Sequence, residues 1–306
     1  MKHLISIVGP TASGKTSLSI EIAKKYSCHI LSADSRQVYR QMDIGTAKPS
    51  KEEIQVIPHH FLDILDPSSS TSAGKFGEAA RELMEELFLK FPVIVIAGGS
   101  GLYLKAVWEG FDEIPPVPLT VRNGIIREFK KSGIGPLQDE LRAADPDTFS
   151  VMDIANPQRV IRALEVLRHT GVPVSVYRKG KKAPVEFENL KIGLTCERTE
   201  LYRRINSRVD HMIDLGLLNE AKSLFAKYGR ECKALQSVGY QEWLPHFDGE
   251  ISEEEAIELI KRNSRRFAKR QLTWFRRDPE ILWFDSMKAD DVIHYIVEKL
   301  GSPLNL

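Results

Sequence analysis

Six short and mostly apolar runs are spread along the chain, and longer amphipathic segments separate them. The apolar runs predict strands at residues 4–8, 29–31, 61–65, 92–97, 190–194 and 281–284. Apolar positions three and four residues apart predict helices at 17–26, 72–91, 198–227 (with a break near Gly216), 261–277 and 290–300. Because strands and helices alternate, we expect an α/β fold with a parallel sheet flanked by helices.

The alternation stops in the middle of the chain. Residues 113–118 read E-I-P-P-V-P, and these prolines predict an irregular linker. From there to about residue 170 the pattern is helical only, with helices at 121–131, 136–144 and 156–171. The last helix has Asn156 as its cap, proline at its first position and Gly171 as its stop. We therefore expect a core domain at 1–114, a small all-helical insertion at 115–187, and the second part of the core at 188–306.

Composition narrows the class of protein. The 306 residues are 42% hydrophobic and 28% charged, enough for a globular core. No apolar run approaches the roughly 20 residues of a membrane helix, and the early first strand leaves no room for a signal peptide. A cytoplasmic monomer without membrane contact is therefore expected. Cys28, Cys196 and Cys232 are too few and too dispersed for disulfides or a structural zinc site, so reduced thiols are expected.

The motif G-P-T-A-S-G-K-T follows the first predicted strand and leads into the first helix. It fits the phosphate-loop pattern, in which two glycines let backbone N–H groups and a helix N-terminus surround an anion. In this pattern Lys15 reaches the outer phosphate and the Thr16 hydroxyl holds a divalent metal. The predicted phosphate-binding residues are Gly9, Pro10, Thr11, Ala12, Ser13, Gly14, Lys15 and Thr16. The motif leaves the ligand open, because a nucleoside triphosphate, a nucleotide or another diphosphate ester would fit.

Two further segments end at the same edge of the predicted sheet. Asp34 follows the second strand, at the edge where open α/β sheets bind ligands. Its carboxylate is suited to be a general base or a metal ligand, and the less favoured alternative is that it caps the segment after the strand. The turn G-G-S-G at 98–101 follows the fourth strand, and its glycines indicate either tight packing or a ligand contact. Residues 42–49, M-D-I-G-T-A-K-P, have the composition of a surface loop.

A basic segment near the C-terminus points to a polyanion. Residues 261–277 hold eight Lys or Arg and no acid, although the net charge of the chain is only +1 because residues 250–258 are acidic. At helical spacing the segment predicts a basic face, with Ile260, Phe267 and Trp274 packed inward. That face comprises Arg262, Arg265, Arg266, Lys269 and Arg276. A solvated surface is the alternative, but the absence of compensating acids favours phosphate binding.

Seven motifs in order carry a family resemblance. They are G-P-T-A-S-G-K-T, A-D-S-R-Q-V-Y, M-D-I-G-T-A-K-P, G-G-S-G-L-Y, N-P-Q-R-V-I-R-A-L-E-V, S-V-G-Y and K-R-Q-L-T-W-F-R-R. Together they resemble the tRNA dimethylallyltransferase (tRNA isopentenyltransferase) family from residue 4 to about residue 285. One departure is Ser100, where the family usually has threonine; the hydroxyl is kept and the methyl is absent.

The resemblance implies a P-loop NTPase-like fold and a prenyl transfer. The loop would hold the diphosphate of dimethylallyl diphosphate with Mg²⁺, and Arg208 would be a further diphosphate contact. The acceptor would be N6 of the adenosine beside the anticodon of tRNA, at position 37. Asp34 would act as its base, and Thr11 and Lys15 would complete the catalytic set.

The adenine must leave the anticodon stack to reach such a site. By resemblance, the tRNA path would be lined by four groups of residues and two single ones. They are Asp34, Ser35, Arg36 and Gln37; Ser100; Arg122; Gln158, Arg159, Val160, Ile161 and Arg162; Gln236, Ser237, Val238, Gly239, Tyr240 and Gln241; and Lys269, Arg270, Gln271, Leu272, Thr273, Trp274, Phe275 and Arg276.

Two other classes of enzyme use the same loop. A small-molecule kinase would bind ATP there, but it would leave the basic segment without a role. A nucleotide-driven motor needs a strand that ends in a metal-binding acid, whereas the strand at 92–97 ends in Gly98, Gly99 and Ser100. The sequence therefore favours the transferase, then the kinase, then the motor.

Overall fold

The computed structural model describes residues 2–178 and 186–301. Of these, the residues up to Trp108 and those from Glu186 onward form one compact unit, and those from Glu109 to Arg178 form a second. The sequence places the first boundary at 114/115 instead. Ile114 and Val117 of the proline-rich linker pack into the core of the second unit, which is why the linker belongs with it.

The larger unit is built on a six-stranded parallel sheet with the strand order β3-β2-β4-β1-β5-β6. This confirms the expected α/β class. The strands are β1 (His3–Val8), β2 (Ile30–Ser32), β3 (His59–His60), β4 (Val93–Gly98), β5 (Glu188–Thr195) and β6 (Leu282–Asp285).

Helices make up most of the rest of the described chain. In chain order they are α1 (Lys15–Lys25), α2 (Lys51–Val56), α3 (Ala73–Leu87), α4 (Gly101–Glu109), α5 (Leu119–Ser132), α6 (Gly135–Ala144), α7 (Pro146–Val151), α8 (Pro157–Thr170), α9 (Val174–Tyr177), α10 (Arg198–Asp214), α11 (Leu217–Tyr228), α12 (Leu244–Phe247), α13 (Glu253–Phe275) and α14 (Ala289–Leu300). A short 3-10 turn at Gln241–Trp243 precedes α12.

Both faces of the sheet are covered, and β1 shows why its sequence is apolar at consecutive positions. Leu4 and Val8 pack on one side with residues of α3 and α4, while Ile5 and Ile7 pack on the other side with residues of α1 and α14. All six residues of this strand are buried. A strand buried on both faces has no polar side to expose, so its hydrophobic pattern is continuous.

One predicted strand is wrong. Residues 61–65 do not form a strand; β3 is limited to His59–His60, and a single bridge joins Leu65 to Tyr39. Phe61 and Asp63 have φ values of +64° and +54°, which no strand can contain. The apolar run identified the right region but not its backbone.

The predicted helices are confirmed, although their ends differ from the predicted ones. Gly216, with φ +95°, separates α10 from α11 at the predicted break. The basic segment is the C-terminal part of a longer helix, α13, which begins at Glu253 in the acidic run. Ser252 and Glu255 form a capping box there, and three glutamates occupy the first turn, where negative charge stabilises a helix.

The helical unit contains no strand among residues 109–178. Helices α5 to α9 surround their own core, in which Ile125, Leu141 and Leu164 are buried. In the described ranges no helix is long and apolar enough to cross a membrane. The three cysteines are free, and burial raises the pKa of Cys28 to about 12.

Candidate active site

A cavity of about 370 Å³ opens at the carboxyl ends of β1, β2 and β4. Its wall comes from segments that are far apart in the chain. They are the phosphate loop, the segment after β2, the loop at 45–49, the glycine turn at 97–100, the facing side of α10, the turn at 236–241 and part of α13. The edge at which parallel strands end is the usual ligand site of open α/β sheets.

The phosphate loop has the backbone that its glycines predict. Gly9 and Gly14 have φ values of +148° and +82°, and a Cβ at Gly9 would lie 2.6 Å from the Leu194 carbonyl oxygen. Helix α1 begins at Lys15, so its free N–H groups face the loop. Lys15 Nζ donates to the Pro10 carbonyl over 2.6 Å. The loop is therefore already wrapped for an anion.

Two cations meet at this loop in surroundings that disfavour positive charge. Burial and, second, the nearby charge of Arg208 lower the pKa of Lys15 to about 7, although Asp34 partly offsets both effects. Burial also lowers the pKa of Arg208, whose Nη1 donates to Thr11 Oγ1 over 3.1 Å. An anionic ligand would relieve this repulsion, so the electrostatics of the loop favour a polyanion.

Asp34 lies beside the phosphate loop, as the sequence predicts. Its Oδ1 accepts hydrogen bonds from the N–H groups of Arg36 at 2.8 Å and Gln37 at 3.4 Å. The capping role that the sequence left open is therefore real, but it uses one oxygen. Within the described ranges the other oxygen accepts no hydrogen bond, and the side chain lines the cavity. One carboxylate can thus hold the turn and still face a substrate.

Close packing explains the glycines of the turn after β4. A Cβ at Gly98 would lie 2.2 Å from the Ala33 carbonyl oxygen, and one at Gly101 would lie 2.0 Å from Trp274 Nε1. No side chain fits at these distances. The turn lines the cavity with Gly98, Gly99 and Ser100, and the Ser100 hydroxyl accepts from the Ser35 N–H over 2.9 Å.

The loop at 42–49 is fixed by a contact that local sequence does not reveal. Glu220 of α11 accepts from the N–H groups of Asp43, Ile44 and Gly45 at 2.8–3.0 Å. The Tyr240 hydroxyl donates to the same carboxylate over 2.7 Å, and burial raises the pKa of this phenol. A segment that the sequence describes as a surface loop is therefore a fixed wall of the cavity.

Helix α13 contributes to the wall of the cavity. Some of its side chains differ in burial from what the helical pattern predicts. Phe267, predicted to pack inward, is 37% exposed and lines the cavity. Three residues predicted on the tRNA path, Gln271, Phe275 and Tyr240, are buried at 7%, 1% and 0% exposure. Phe275 and Tyr240 do not line this cavity, so they support the surface from within, whereas Gln271 belongs to the cavity wall.

The cationic face of α13 is present with one change. Arg262, Arg266, Lys269 and Arg276 are exposed. Arg265 is half-buried, and its Nη1 donates to Asn206 Oδ1 over 2.6 Å. The other residues predicted on this part of the tRNA path lie nearby: Arg270 and Thr273 are exposed, while Leu272 and Trp274 are half-buried.

In the helical unit, two of the predicted tRNA residues donate to one carboxylate. Glu165 is buried, and it accepts from Arg122 at 2.7 Å and Arg162 at 3.1 Å. Arg122 also donates to Gln158 Oε1 over 2.9 Å. The carboxylate thereby holds two guanidinium groups side by side on the surface of this unit.

Two neighbours of these residues are not available to RNA. Val160 and Ile161 are 0% and 1% exposed in the core of the helical unit, so their predicted tRNA contact is corrected to a packing role. Gln158 and Arg159 are exposed at the start of α8. The motif N-P-Q-R-V-I-R thus alternates between surface and core, as helical spacing requires.

Most of the turn at 236–241, which the resemblance places on the tRNA path, lines the cavity. Gln236, Ser237, Val238, Gly239 and Gln241 all contribute to its wall. The turn is held by Glu242, a buried carboxylate that accepts from the Gly239 N–H at 2.9 Å. Sequence reasoning missed Glu242, and its position directly after the turn was the available signal.

A second residue that the sequence did not indicate is His59. Its ring lines the cavity, and Nδ1 lies 2.7 Å from the Ile57 carbonyl oxygen. Nε2 is buried and has no partner in the part of the chain that is described. Burial lowers the pKa of this imidazole, and the hydrogen bond with the Ile57 backbone partly offsets that effect.

The residues at the loop are compatible with a magnesium ion. The Thr16 hydroxyl and the Asp34 carboxylate line the same cavity. Both are hard oxygen ligands, and Mg²⁺ usually combines one or two protein oxygens with substrate phosphates and water.

Known proteins match the chain over nearly its full length. Residues 37–278 match the family described as IPP transferase. The chain is 44% identical to a tRNA dimethylallyltransferase of Cytophaga hutchinsonii over 98% of each sequence, and 42% identical to that of Geobacillus thermodenitrificans over 100% of this chain and 99% of the relative.

Solved structures agree with these matches. A tRNA isopentenylpyrophosphate transferase from Bacillus halodurans is 40% identical, has a TM-score of 0.73, and covers 100% of this chain and 99% of its own. A eukaryotic dimethylallyltransferase described as acting on tRNA is 26% identical, with a TM-score of 0.79, over 94% of this chain and 74% of its own.

Proposed function

The chain belongs to the IPP transferase family of tRNA dimethylallyltransferases, and on that basis we propose that it transfers a dimethylallyl group from dimethylallyl diphosphate to N6 of adenosine 37 in tRNA, with release of diphosphate. The observation that carries the proposal is the cavity itself. It combines a phosphate loop, the two cations Lys15 and Arg208, and the carboxylate Asp34, and α13 borders it with a cationic face.

The donor's diphosphate lies in the phosphate loop. When the bond between the allylic C1 and its oxygen breaks, positive charge spreads over the allyl group and negative charge builds on the leaving diphosphate. Lys15, Arg208 and the N–H groups of the loop and of the start of α1 stabilise that negative charge. Thr11 positions Arg208 through its hydroxyl. The pKa of Lys15 is low when no ligand is bound. Because the negative charge of the diphosphate raises this pKa, binding also favours the protonated form of Lys15.

N6 of adenine attacks C1, and a new C–N bond replaces the C–O bond. The nitrogen must then lose a proton, because it would otherwise keep a positive charge. Asp34 takes this proton, since it lines the cavity and its second oxygen is free while Oδ1 holds the turn. The hydrogen bonds from Arg36 and Gln37 keep the carboxylate in place during the transfer.

A magnesium ion belongs to the proposal, with Thr16 as the protein group that would hold it. When bound, it would neutralise charge on the diphosphate.

The tRNA meets the protein along α13 and the turns around the cavity. Arg266, Lys269, Arg270 and Arg276 contact the phosphate backbone, and the flipped adenine enters past Phe267 at the cavity wall. In the helical unit, the guanidinium pair of Arg122 and Arg162 offers a further phosphate site.

The test is incubation of the protein with unmodified tRNA and dimethylallyl diphosphate radiolabelled in the allyl group, with Mg²⁺. We expect label in the tRNA, and none when guanosine replaces adenosine 37. A parallel tube with γ-labelled ATP tests the kinase alternative. Label from ATP in a small metabolite, with no prenylated tRNA, would overturn the proposal.

A further inference from the structure

Helix α13 reaches the phosphate loop through one buried side chain, Gln271. We propose that Gln271 is a positioning residue that couples RNA binding on the outer face of α13 to diphosphate binding in the loop. The inference rests on the proposed function, because it assigns the RNA to α13 and the diphosphate to the loop. It adds that the affinities of these two ligands depend on each other.

Gln271 uses both ends of its amide. Oε1 accepts from the Thr11 N–H over 2.8 Å, and Nε2 donates to the Gly99 carbonyl oxygen over 3.0 Å. The side chain is only 7% exposed, and a Cβ at Gly99 would lie 2.1 Å from Nε2. The amide is thus clamped between the phosphate loop and the glycine turn after β4, so a shift of α13 has to move one of them or break a hydrogen bond.

The hydrogen bond between Thr11 and Gln271 holds the loop in place without using any of the N–H groups that face the phosphate. Pro10 has no N–H, and the N–H of Thr11 is taken by Gln271. The phosphate-facing N–H groups come from the following residues and the start of α1. Thr11 also receives the hydrogen bond from Arg208, so Gln271 sets the position of the residue that orients one of the two diphosphate-binding cations.

The other side of the same helix carries the RNA-binding groups. Lys269 lies two positions before Gln271, which places it on the opposite side of the helix, and it is exposed. Leu272 packs in a small cluster with Ala12 of the phosphate loop, which gives α13 a second contact to the loop. Because α13 is one continuous helix of 23 residues, RNA that fixes its outer face also fixes Gln271. Linkage then requires that diphosphate strengthens RNA binding by the same factor.

The test measures the dissociation constant of inorganic diphosphate by calorimetry, in Mg²⁺, with and without a saturating anticodon stem-loop RNA. For the wild type we expect RNA to tighten diphosphate binding by roughly 5- to 150-fold, the usual range for coupled sites. Gln271→Met has a similar length but makes neither hydrogen bond, so the tightening should fall to about twofold or less. The salt dependence of RNA binding should not change, because no phosphate-binding group is removed.

Gln138→Met is the matched control. Gln138 Nε2 also donates to a backbone carbonyl, that of Ile154 at 3.0 Å, but it lies in the helical unit. This variant should keep the full coupling. If Gln271→Met does not fold, Gln271→Glu serves, because an ionised carboxylate keeps the bond from Thr11 and loses the bond to Gly99; coupling should fall below the wild-type value.

Two results would overturn the inference: a wild type without coupling, or folded Gln271 variants that retain all of it. Failure of the inference differs from failure of the proposed function. A protein that prenylates tRNA but binds its two ligands independently refutes only the coupling. A protein that does not prenylate tRNA refutes the function.

Discussion

The Lys15 ammonium donates to the carbonyl oxygen of Pro10 over 2.6 Å, so the phosphate loop is closed by its own lysine. Burial, with Arg208 as a second cause, lowers the pKa of this lysine to about 7. A bound diphosphate adds negative charge beside it and raises that pKa. Between pH 7 and the raised value, the complex therefore holds one more proton than the free protein, and the lysine contributes less to affinity as the pH rises.

We therefore expect the wild type to take up close to one extra proton when inorganic diphosphate binds at pH 8. The measurement is calorimetry in two buffers with different ionisation enthalpies. Lys15→Arg is the comparison, because a guanidinium stays charged and should show no uptake of its own. Protonation of the diphosphate itself is common to both proteins and cancels. Equal proton uptake by the two proteins would contradict a neutral Lys15 in the free state.

Asp34→Asn separates the base from the cap. An asparagine Oδ1 can still accept from the Arg36 and Gln37 N–H groups, so the turn should keep its shape. It cannot take a proton from N6, and a positioned general base contributes about 10²- to 10⁴-fold. Single-turnover prenyl transfer should fall by that factor, while the dissociation constants of tRNA and donor change little.

Measuring the rate of Asp34→Asn at two Mg²⁺ concentrations tests whether Asp34 acts mainly as a metal ligand. If the carboxylate acted mainly as a metal ligand, excess Mg²⁺ would partly restore the rate of Asp34→Asn, and donor binding would weaken. A variant that transfers the prenyl group at nearly the wild-type rate would exclude Asp34 as the base.

The cationic face of α13 predicts a salt effect. Arg266→Ala with Lys269→Ala should weaken tRNA binding and reduce the slope of log affinity against log salt by about 0.7 to 0.9 for each phosphate that the variant no longer neutralises. Arg265 is left unchanged because it donates to Asn206. Filter binding between about 50 and about 200 mM salt measures the slope. Diphosphate binding without RNA should not change.

Lys24→Ala with Lys25→Ala removes the same charge from the C-terminal end of α1, at the edge of the sheet opposite the phosphate loop. This control should keep the wild-type slope. If both double variants behave alike, the face of α13 is an ordinary solvated surface.

Tyr240→Phe tests the anchor of the loop at 42–49. It removes the hydroxyl that donates to Glu220, and a hydrogen bond to a charged group is worth about 1.5 to 3 kcal/mol. We expect the free energy of unfolding to fall by about that amount in a urea titration followed by tryptophan fluorescence. Tyr202→Phe is the control, because within residues 2–178 and 186–301 its hydroxyl accepts a hydrogen bond only from exposed Arg198, at 3.2 Å; this substitution should cost about 0.5 kcal/mol or less. An unchanged midpoint for Tyr240→Phe would show that the three backbone N–H groups alone hold the carboxylate.

Some parts of this molecule follow from neighbouring residues in the chain. The phosphate loop is one, because its ligands are consecutive N–H groups and its two glycines supply the conformations they need. The strand β1, buried on both faces, and the helix α8, with Asn156 as its cap and Gly171 as its stop, are others. In each case the interactions that select the backbone lie within a few residues, so the pattern predicts them.

Other parts depend on contacts between residues distant in the chain. Glu220 holds a loop 175 residues earlier, and Gln271 bonds to Thr11, 260 residues away; neither has a local signal. The same applies to Phe267, which helical spacing placed inside. Spacing fixes which residues share a face of α13, but the elements that pack against the helix decide which face is covered. The cavity exists only because the sheet brings these segments to one edge, where the free energy of packing selects their positions.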